Sequence, residues 1–308
     1  MESSNRKIQD AIVFSGNILE QNGEDLPQYG LLGCMVSESS TDKVNARVFL
    51  NTNIAFSAFI CGVQGSGKSH TTACMIGMNN KLQNIATYKT NGFTENCIIQ
   101  SRVLGSLEKP LFALIFNFAE YSSHANFRPS EVVFLASPSK QNPTQLRANK
   151  INPLVSPSNY LSLAELYSQI PGVEVQPFKI HSQDLNINIM LTLMAVDSSH
   201  IPPLYMGVVT KILRQMATES AGNFDYVKSR RLFDDVGLEK KQMDFLEQRL
   251  DMLESFLDLE GETERPTFKS GEITITDLSC PFLDANTACL LFKIGLGIYL
   301  DSDTVSAS

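Results

Sequence analysis

Apolar positions along this chain fall into two kinds of pattern, short continuous runs and longer stripes at helical spacing. The first thirty residues are polar and turn-rich, with Asn22-Gly23 as a loop or hairpin signal. Strands are expected at Gly30–Val36 and Ala46–Leu50, on either side of the polar loop Ser37–Lys43. The apolar run Ala55–Cys61 leads directly into glycines and reads as a buried parallel strand. A helix is expected from about Gly67 through Thr71–Met78. Leu111–Phe116 and Leu154–Val155 are further buried-strand candidates, followed by the helix-like Ser162–Ile170 and a strand at Val173–Phe178. Strand, helix and strand in alternation imply crossover units. The fold class expected is therefore α/β, a mostly parallel sheet flanked by helices.

Between Ser182 and Leu259 the pattern turns helical. Leu204, Val208, Ile212 and Met216 repeat every four residues, and Met243, Leu246, Leu250, Leu253 and Leu257 alternate by three and four. These are amphipathic helices inserted between sheet strands. The second stripe covers only about two heptads, so it packs within the chain rather than forming a coiled coil. A last strand at Ile273–Thr276 ends at Asp277, and Asp284 caps a final helix through Leu300. The expected organisation is an N-terminal segment with short strands (1–50), an α/β core (51–181), a helical insertion (182–262), the last core strand and helix (263–300) and an unstructured tail (301–308).

Composition adds limits. Of 308 residues, 43% are hydrophobic and 19% charged, the balance of a folded globular protein. The net charge of −8 advertises no nucleic-acid or anionic-membrane partner. Two basic groups, Lys228 with Arg230 and Arg231, and Arg147 with Lys150, read as solvated surface. Cys34, Cys61, Cys74, Cys97, Cys280 and Cys289 form no Cys-x-x-Cys pair and read as small core residues of a reduced compartment. Met1–Asp10 lacks a secretory apolar core, and the stretch Ala288–Leu300 is interrupted by Lys293 and too short to cross a bilayer. An intracellular protein, cytoplasmic or nuclear, with no membrane partner is expected.

The residues Gly62-Val63-Gln64-Gly65-Ser66-Gly67-Lys68-Ser69 satisfy G-x-x-x-x-G-K-[ST] at every fixed position. Each residue type has a physical role. The glycines allow close approach and backbone angles that a Cβ forbids, so successive N–H groups point at phosphate oxygens. The helix that starts here, with His70 in its first turn, adds unpaired N–H groups and its positive dipole end. Lys68 reaches the β- and γ-phosphates, and the Ser69 hydroxyl is placed for Mg²⁺. A nucleoside triphosphate with Mg²⁺ is the expected ligand.

Hydrolysis also needs a carboxylate beside the metal shell. Two apolar segments end in one: Met190–Val196 at Asp197 and Ile273–Thr276 at Asp277. The first has helical spacing from Leu185 and makes Asp197 a helix-end residue, so Asp277 is the preferred metal and catalytic candidate. Glu120, just past the Leu111–Phe116 strand, stands where α/β proteins meet their ligands and is the other catalytic candidate, beside Lys68.

With these residues in hand the chain resembles the HerA/FtsK superfamily of P-loop ATPases, most closely its fungal HerA-like members. The resemblance is carried by Asn51-Thr52-Asn53 through Thr71, by Glu120-Tyr121, by the block from Leu193-Met194 to Arg214 with Gln248-Arg249-Leu250, and by Ile275-Thr276-Asp277-Leu278-Ser279. The family's Asp is Phe116 here and its Gly is Ala119. In that family an Asp-Glu strand that polarises water follows the Asp-Leu-Ser strand. This sequence ends at Asp301–Ser308, about where that strand begins, so it corresponds to the family's N-terminal portion or to a degenerate copy. The resemblance implies a P-loop NTPase fold, a homo-oligomer in the form of a hexameric ring, and a nucleic-acid or protein cargo.

Two functional readings follow: a Mg-ATP-binding motor-type ATPase, and a nucleotide-binding interaction module without turnover. The absent Asp-Glu strand favours the second for this chain as it stands, while the ancestry that the resemblance implies favours the first. A GTPase is set aside, because Asn149-Lys150-Ile151-Asn152 lacks the acid that reads guanine and precedes Asp234-Asp235-Val236-Gly237 in the wrong order. A small-molecule kinase has no basic lid run beyond Arg230-Arg231 to support it.

Overall fold

The computed structural model describes residues 8–35, 46–63, 66–76, 105–106, 111–119, 128–136, 148, 150–194, 205–219, 224–235 and 237–306. The first element is a small antiparallel sheet in the order β1-β3-β2-β4, built from β1 (Val13–Ser15), β2 (Tyr29–Cys34), β3 (Arg47–Asn51) and β4 (Gly105–Ser106). Aromatic packing holds it. The Phe14 ring stacks on Phe49 at 5.7 Å, and Tyr29 meets Phe49 edge-on at 5.5 Å. Leu26 closes this cluster from the loop before β2. Asn22-Gly23 is not a hairpin: Asn22 ends helix α1 (Gly16–Asn22), and Ile8, Ile18 and Leu19 pack on the aromatic cluster.

The second sheet is the one the sequence pattern anticipates. Strands β5 (Ala113–Asn117), β6 (Lys150–Val155), β7 (Gln176–Pro177) and β10 (Glu272–Asp277) pair in parallel in the order β5-β10-β6-β7. Side chains alternate across its two faces, as a pleated strand requires. Ile151, Val155, Ile273, Ile275 and Ile115 pack on one face against helix α3 (Tyr160–Ser168) and a 3-10 turn at Glu131–Ala136. On the other face Leu154 joins the larger helical core. The structure is thus a mixed α/β fold with a four-stranded parallel sheet flanked by helices. The expected strand Val173–Phe178 shrinks to two paired residues and one bridge from Val173 to Ile151.

Helices α4 (Ile187–Met194), α5 (Tyr205–Glu219), α6 (Tyr226–Asp234) and α7 (Lys240–Glu254) form the insertion, and strands β8 (Ile180–His181) and β9 (Leu257–Asp258) pair at its base. The stripe on α7 does what its spacing predicts: Leu246, Leu250 and Leu253 are buried within the core that also holds Val209, Leu213 and Phe233. The last helix, α8 (Ala285–Ser306), starts at Asp284, whose carboxylate accepts from the Thr287 amide at 2.8 Å and its hydroxyl at 3.0 Å. These bonds, the amide foremost, hold Asp284 below the ordinary carboxylate range. The helix runs to Ser306, so the tail expected to be unstructured from Asp301 is helical as far as it is described.

One strand expectation fails. Ala55–Cys61 forms no strand, and Phe59 is 92% exposed. Up to Asn53 the chain is committed to the antiparallel sheet: Thr52 donates to the Gln28 carbonyl, and the Asn53 amide group donates to Gln28 and Asn51. Beyond Asn53 the apolar run finds no strand partner among the described residues. An apolar composition supplies the tendency to bury, and the partner decides whether burial happens. The cysteines also depart from expectation, since Cys34, Cys61 and Cys289 are exposed and only Cys280 of the four described is buried.

Candidate functional site

The described residues of Gly62–Ser69 lie on either side of Gln64 and Gly65 and bond to one another. The Ser66 amide donates to the Val63 carbonyl at 3.1 Å, a turn that reverses the chain ahead of helix α2 (Lys68–Ile76). Gly67 sits at φ = 87°, the left-handed region that a side chain disfavours. A Cβ on Gly62 would fall on the Ser66 hydroxyl and press its Cβ at 3.2 Å, so a side chain here would have to push the exposed Ser66 aside. Lys68 then closes the loop, its Nζ donating to the carbonyls of both Gly62 and Val63 at 2.9 Å. An ammonium group has three N–H donors, and two are engaged here among the described residues. The helix is continued by the Thr71 and Thr72 hydroxyls, which donate to the Gly67 and Lys68 carbonyls. The Val63, Ser66 and Ser69 side chains are exposed beside Lys68. Gln64 and Gly65 lie outside the described residues, as does the side chain of His70.

A second polar cluster lies at the carboxyl ends of the parallel strands. Asp277 ends β10 in register with Asn117 of β5 and Val155 of β6. It is fully buried. Its Oδ2 accepts from the Tyr167 hydroxyl at 2.7 Å, and its Oδ1 from the Ser279 amide at 3.0 Å. Around Ser279 the strand ends are laced together: the Ala119 amide donates to its hydroxyl at 3.0 Å, and the Asn159 side chain donates to its carbonyl at 2.9 Å. The Ser156 amide donates to the Asp277 carbonyl, while the Ser156 hydroxyl is buried with no partner among the described residues.

Geometry therefore gives Asp277 a different standing from the open metal ligand that its sequence position suggests. Its strand-end place is as expected, but both oxygens are engaged and no solvent reaches it. Each oxygen keeps one lone pair, so any metal would be met through these bonds rather than in place of them. Glu120 and Asp197 lie outside the described residues. No group of three His, Cys, Asp or Glu suited to a metal is present among the described residues.

Tyr167 escaped sequence reasoning. On α3 it continues an apolar face with Leu163, and only its hydroxyl betrays a second role. Its signal was weak: a tyrosine at the inner end of a short helix. Burial, and then the charge of Asp277, push its phenol above the ordinary tyrosine value, so it stays protonated and donates.

The basic residues expected on the surface are partly structural. Arg230 bonds both oxygens of Glu247 and pairs with Asp234 and Glu254, tying α6 to α7, while Lys228 pairs with Glu219. Asp258, at the β8–β9 pair, accepts from the Thr263 hydroxyl at 2.6 Å and from the amides of Gly261, Glu262 and Thr263. These bonds, led by the Thr263 hydroxyl, hold its carboxyl well below the usual range. His181 lies 3.5 Å from it. The set organises a turn, and the hydroxyl of Thr263 is spent on the carboxylate.

Comparison with family models, with curated proteins and with solved structures gives no match for this chain. Among the described residues no helix is long and apolar enough to cross a membrane.

Proposed function

We propose that the chain binds ATP with Mg²⁺ at Gly62–Ser69, as a P-loop NTPase of HerA/FtsK type. One observation carries this reading: Gly67 is left-handed and the Lys68 ammonium bridges the Gly62 and Val63 carbonyls, with one of its three N–H groups uncommitted among the described residues. Such a segment suits a polyanion, because the ammonium and the first turn of α2 both present positive ends. Lys68 would hold the phosphates and the exposed Ser69 hydroxyl the Mg²⁺. That ion supplies neutralisation of charge on the phosphate oxygens. The chain's own part is to orient the nucleotide and to keep the loop closed when it is absent.

The burial of Asp277 favours the second reading, binding without effective turnover, over a working hydrolase. A steady-state rate well below about 1 s⁻¹ is expected. The family's ring assembly and its nucleic-acid or protein cargo belong to this proposal through the resemblance alone.

Thermal melting tests the reading. Saturating ATP with Mg²⁺ raises the melting temperature of the wild-type chain, because a ligand that binds only the folded state stabilises it. Lys68→Ala melts at the wild-type temperature without ligand and shows no rise with it. An equal rise in both proteins would contradict the assignment.

A further inference from the structure

On the face of the parallel sheet that α8 covers, Thr274 of β10 stands in register with Asn152 of β6. Both residues are buried, at 0% and 8% exposure, and neither the Thr274 hydroxyl nor the Asn152 Nδ2 has a hydrogen-bond partner among the described residues. Orphaned polar groups of this kind cost folding free energy, and native interiors rarely leave two side by side. Thr274 lines a cavity of about 20 Å³ whose walls include Leu154, Phe178, Phe268 and Ile298. That is room for one water-sized atom. A groove of about 190 Å³ between the start of α4 and α8 shares Asp184 and Ile298 with that cavity, and is lined also by Asn186, Asn188, Lys293 and Gly297. Gly297 lies within α8, where a Cβ would meet no atom within 4 Å. Alanine would fit there and favour the helix, so packing does not demand the glycine. What it provides is an unobstructed groove floor.

We propose that this cleft binds a small neutral carbonyl compound, of which an aliphatic amide is the simplest example. Its oxygen lies against Thr274 and Asn152, and its carbon chain passes Ile298 and lies over Gly297. A hydroxyl and an amide NH₂ on adjacent strands, about 4.8 Å apart, offer donors that match the two lone pairs of one carbonyl oxygen. Charge argues the same way. The Lys179 ammonium in the cavity wall already donates to the Ser255 and Leu257 carbonyls at 2.9 and 3.2 Å. His181 sits 3.5 Å from the Asp258 carboxylate, which offsets any charge the ring takes. A carboxylate placed at Thr274 would therefore be buried without a counter-charge, which is costly, whereas a neutral oxygen is not penalised. The cleft shares no residue with Gly62–Ser69, so the proposal is independent of the nucleotide reading.

The test is an NMR titration of the isotope-labelled whole chain with propionamide. It is followed on the Asn152 side-chain NH₂ signal, which is identified by its loss in Asn152→Leu. Propionamide should shift that signal saturably, and propionate at the same concentrations should not. Thr274→Val keeps the shape and removes the hydroxyl, and should weaken binding roughly fivefold, the size of one hydrogen bond between uncharged groups. Thr274→Ser should retain binding. Gly297→Leu should abolish the shift with the melting transition left in place, because its side chain fills the groove. No saturable shift, equal affinity in Thr274→Val, or equal binding of propionate would overturn the proposal. So would a long-lived water beside the Thr274 methyl that propionamide does not displace, since the cavity would then be a solvent site only. Should Thr274→Val not fold, Gly297→Leu decides. Loss of the shift with melting intact supports the cleft, and an unchanged shift overturns it.

Discussion

Single residues set the most exacting conditions here. Gly67 is held at φ = 87° with open space around it, so a methyl group there meets no neighbour and the cost is conformational. Gly67→Ala should destabilise the loop by about 1–2 kcal/mol, and a binding titration should show roughly tenfold weaker ATP affinity with little change in melting temperature. Gly62 differs, since its Cβ would displace the Ser66 hydroxyl. Asp258 gives a pH prediction. Its folded-state pKa lies below the unfolded value, so its stabilising contribution is full at neutral pH and fades as pH falls below about 4. Denaturant unfolding of wild type and Asp258→Asn should therefore differ most at pH 7 and converge toward pH 2. A difference that widens in acid would contradict the assigned hydrogen bonds. None of this was legible in the sequence beyond the glycines themselves. Asp258 is anonymous among acidic neighbours until Gly261 (φ 73°) turns the chain back and three amides converge on it.

At the scale of elements, legibility follows local pattern. The α7 stripe, the β10 strand and the Asp284 cap were readable because period and cap chemistry act within a few residues. Leu250→Ala, at the fully buried centre of that stripe, should cost about 2–5 kcal/mol in chemical unfolding, as a cavity in a packed core does. A loss below about 1 kcal/mol would mean that α7 is not seated as described. Ala55–Cys61 shows the opposite case. Its composition suits a buried strand, but pairing is a long-range matter, and the neighbouring Asn51–Asn53 bonds hold the chain to the antiparallel sheet instead. The tail fails for a similar reason: small polar residues after Leu300 carry no stop signal strong enough to end α8 before Ser306.

For the molecule as a whole, the parallel sheet and its two helical covers were predictable from alternation, while the separate antiparallel sheet was foreseen only as short strands. The candidate site divides in the same way. The Gly62–Ser69 motif proposed to bind phosphate is contiguous, so the proposal could be made from sequence alone. The Asp277 cluster draws Ser130, then Asn159 with Tyr167, and Ser279 from three separate segments, and no linear pattern links them. With a net charge of −8, the anionic ligand proposed here would depend on local positive ends, Lys68 foremost.

The most direct test of that dependence is a calorimetric titration of ATP with Mg²⁺ into the wild-type protein and into Lys68→Ala. Saturable binding at one site per chain, weakened at least about a hundredfold in the variant, a loss of some 2.7 kcal/mol, is the result predicted. Equal affinity in the two proteins, or no heat of binding in the wild type, would contradict it.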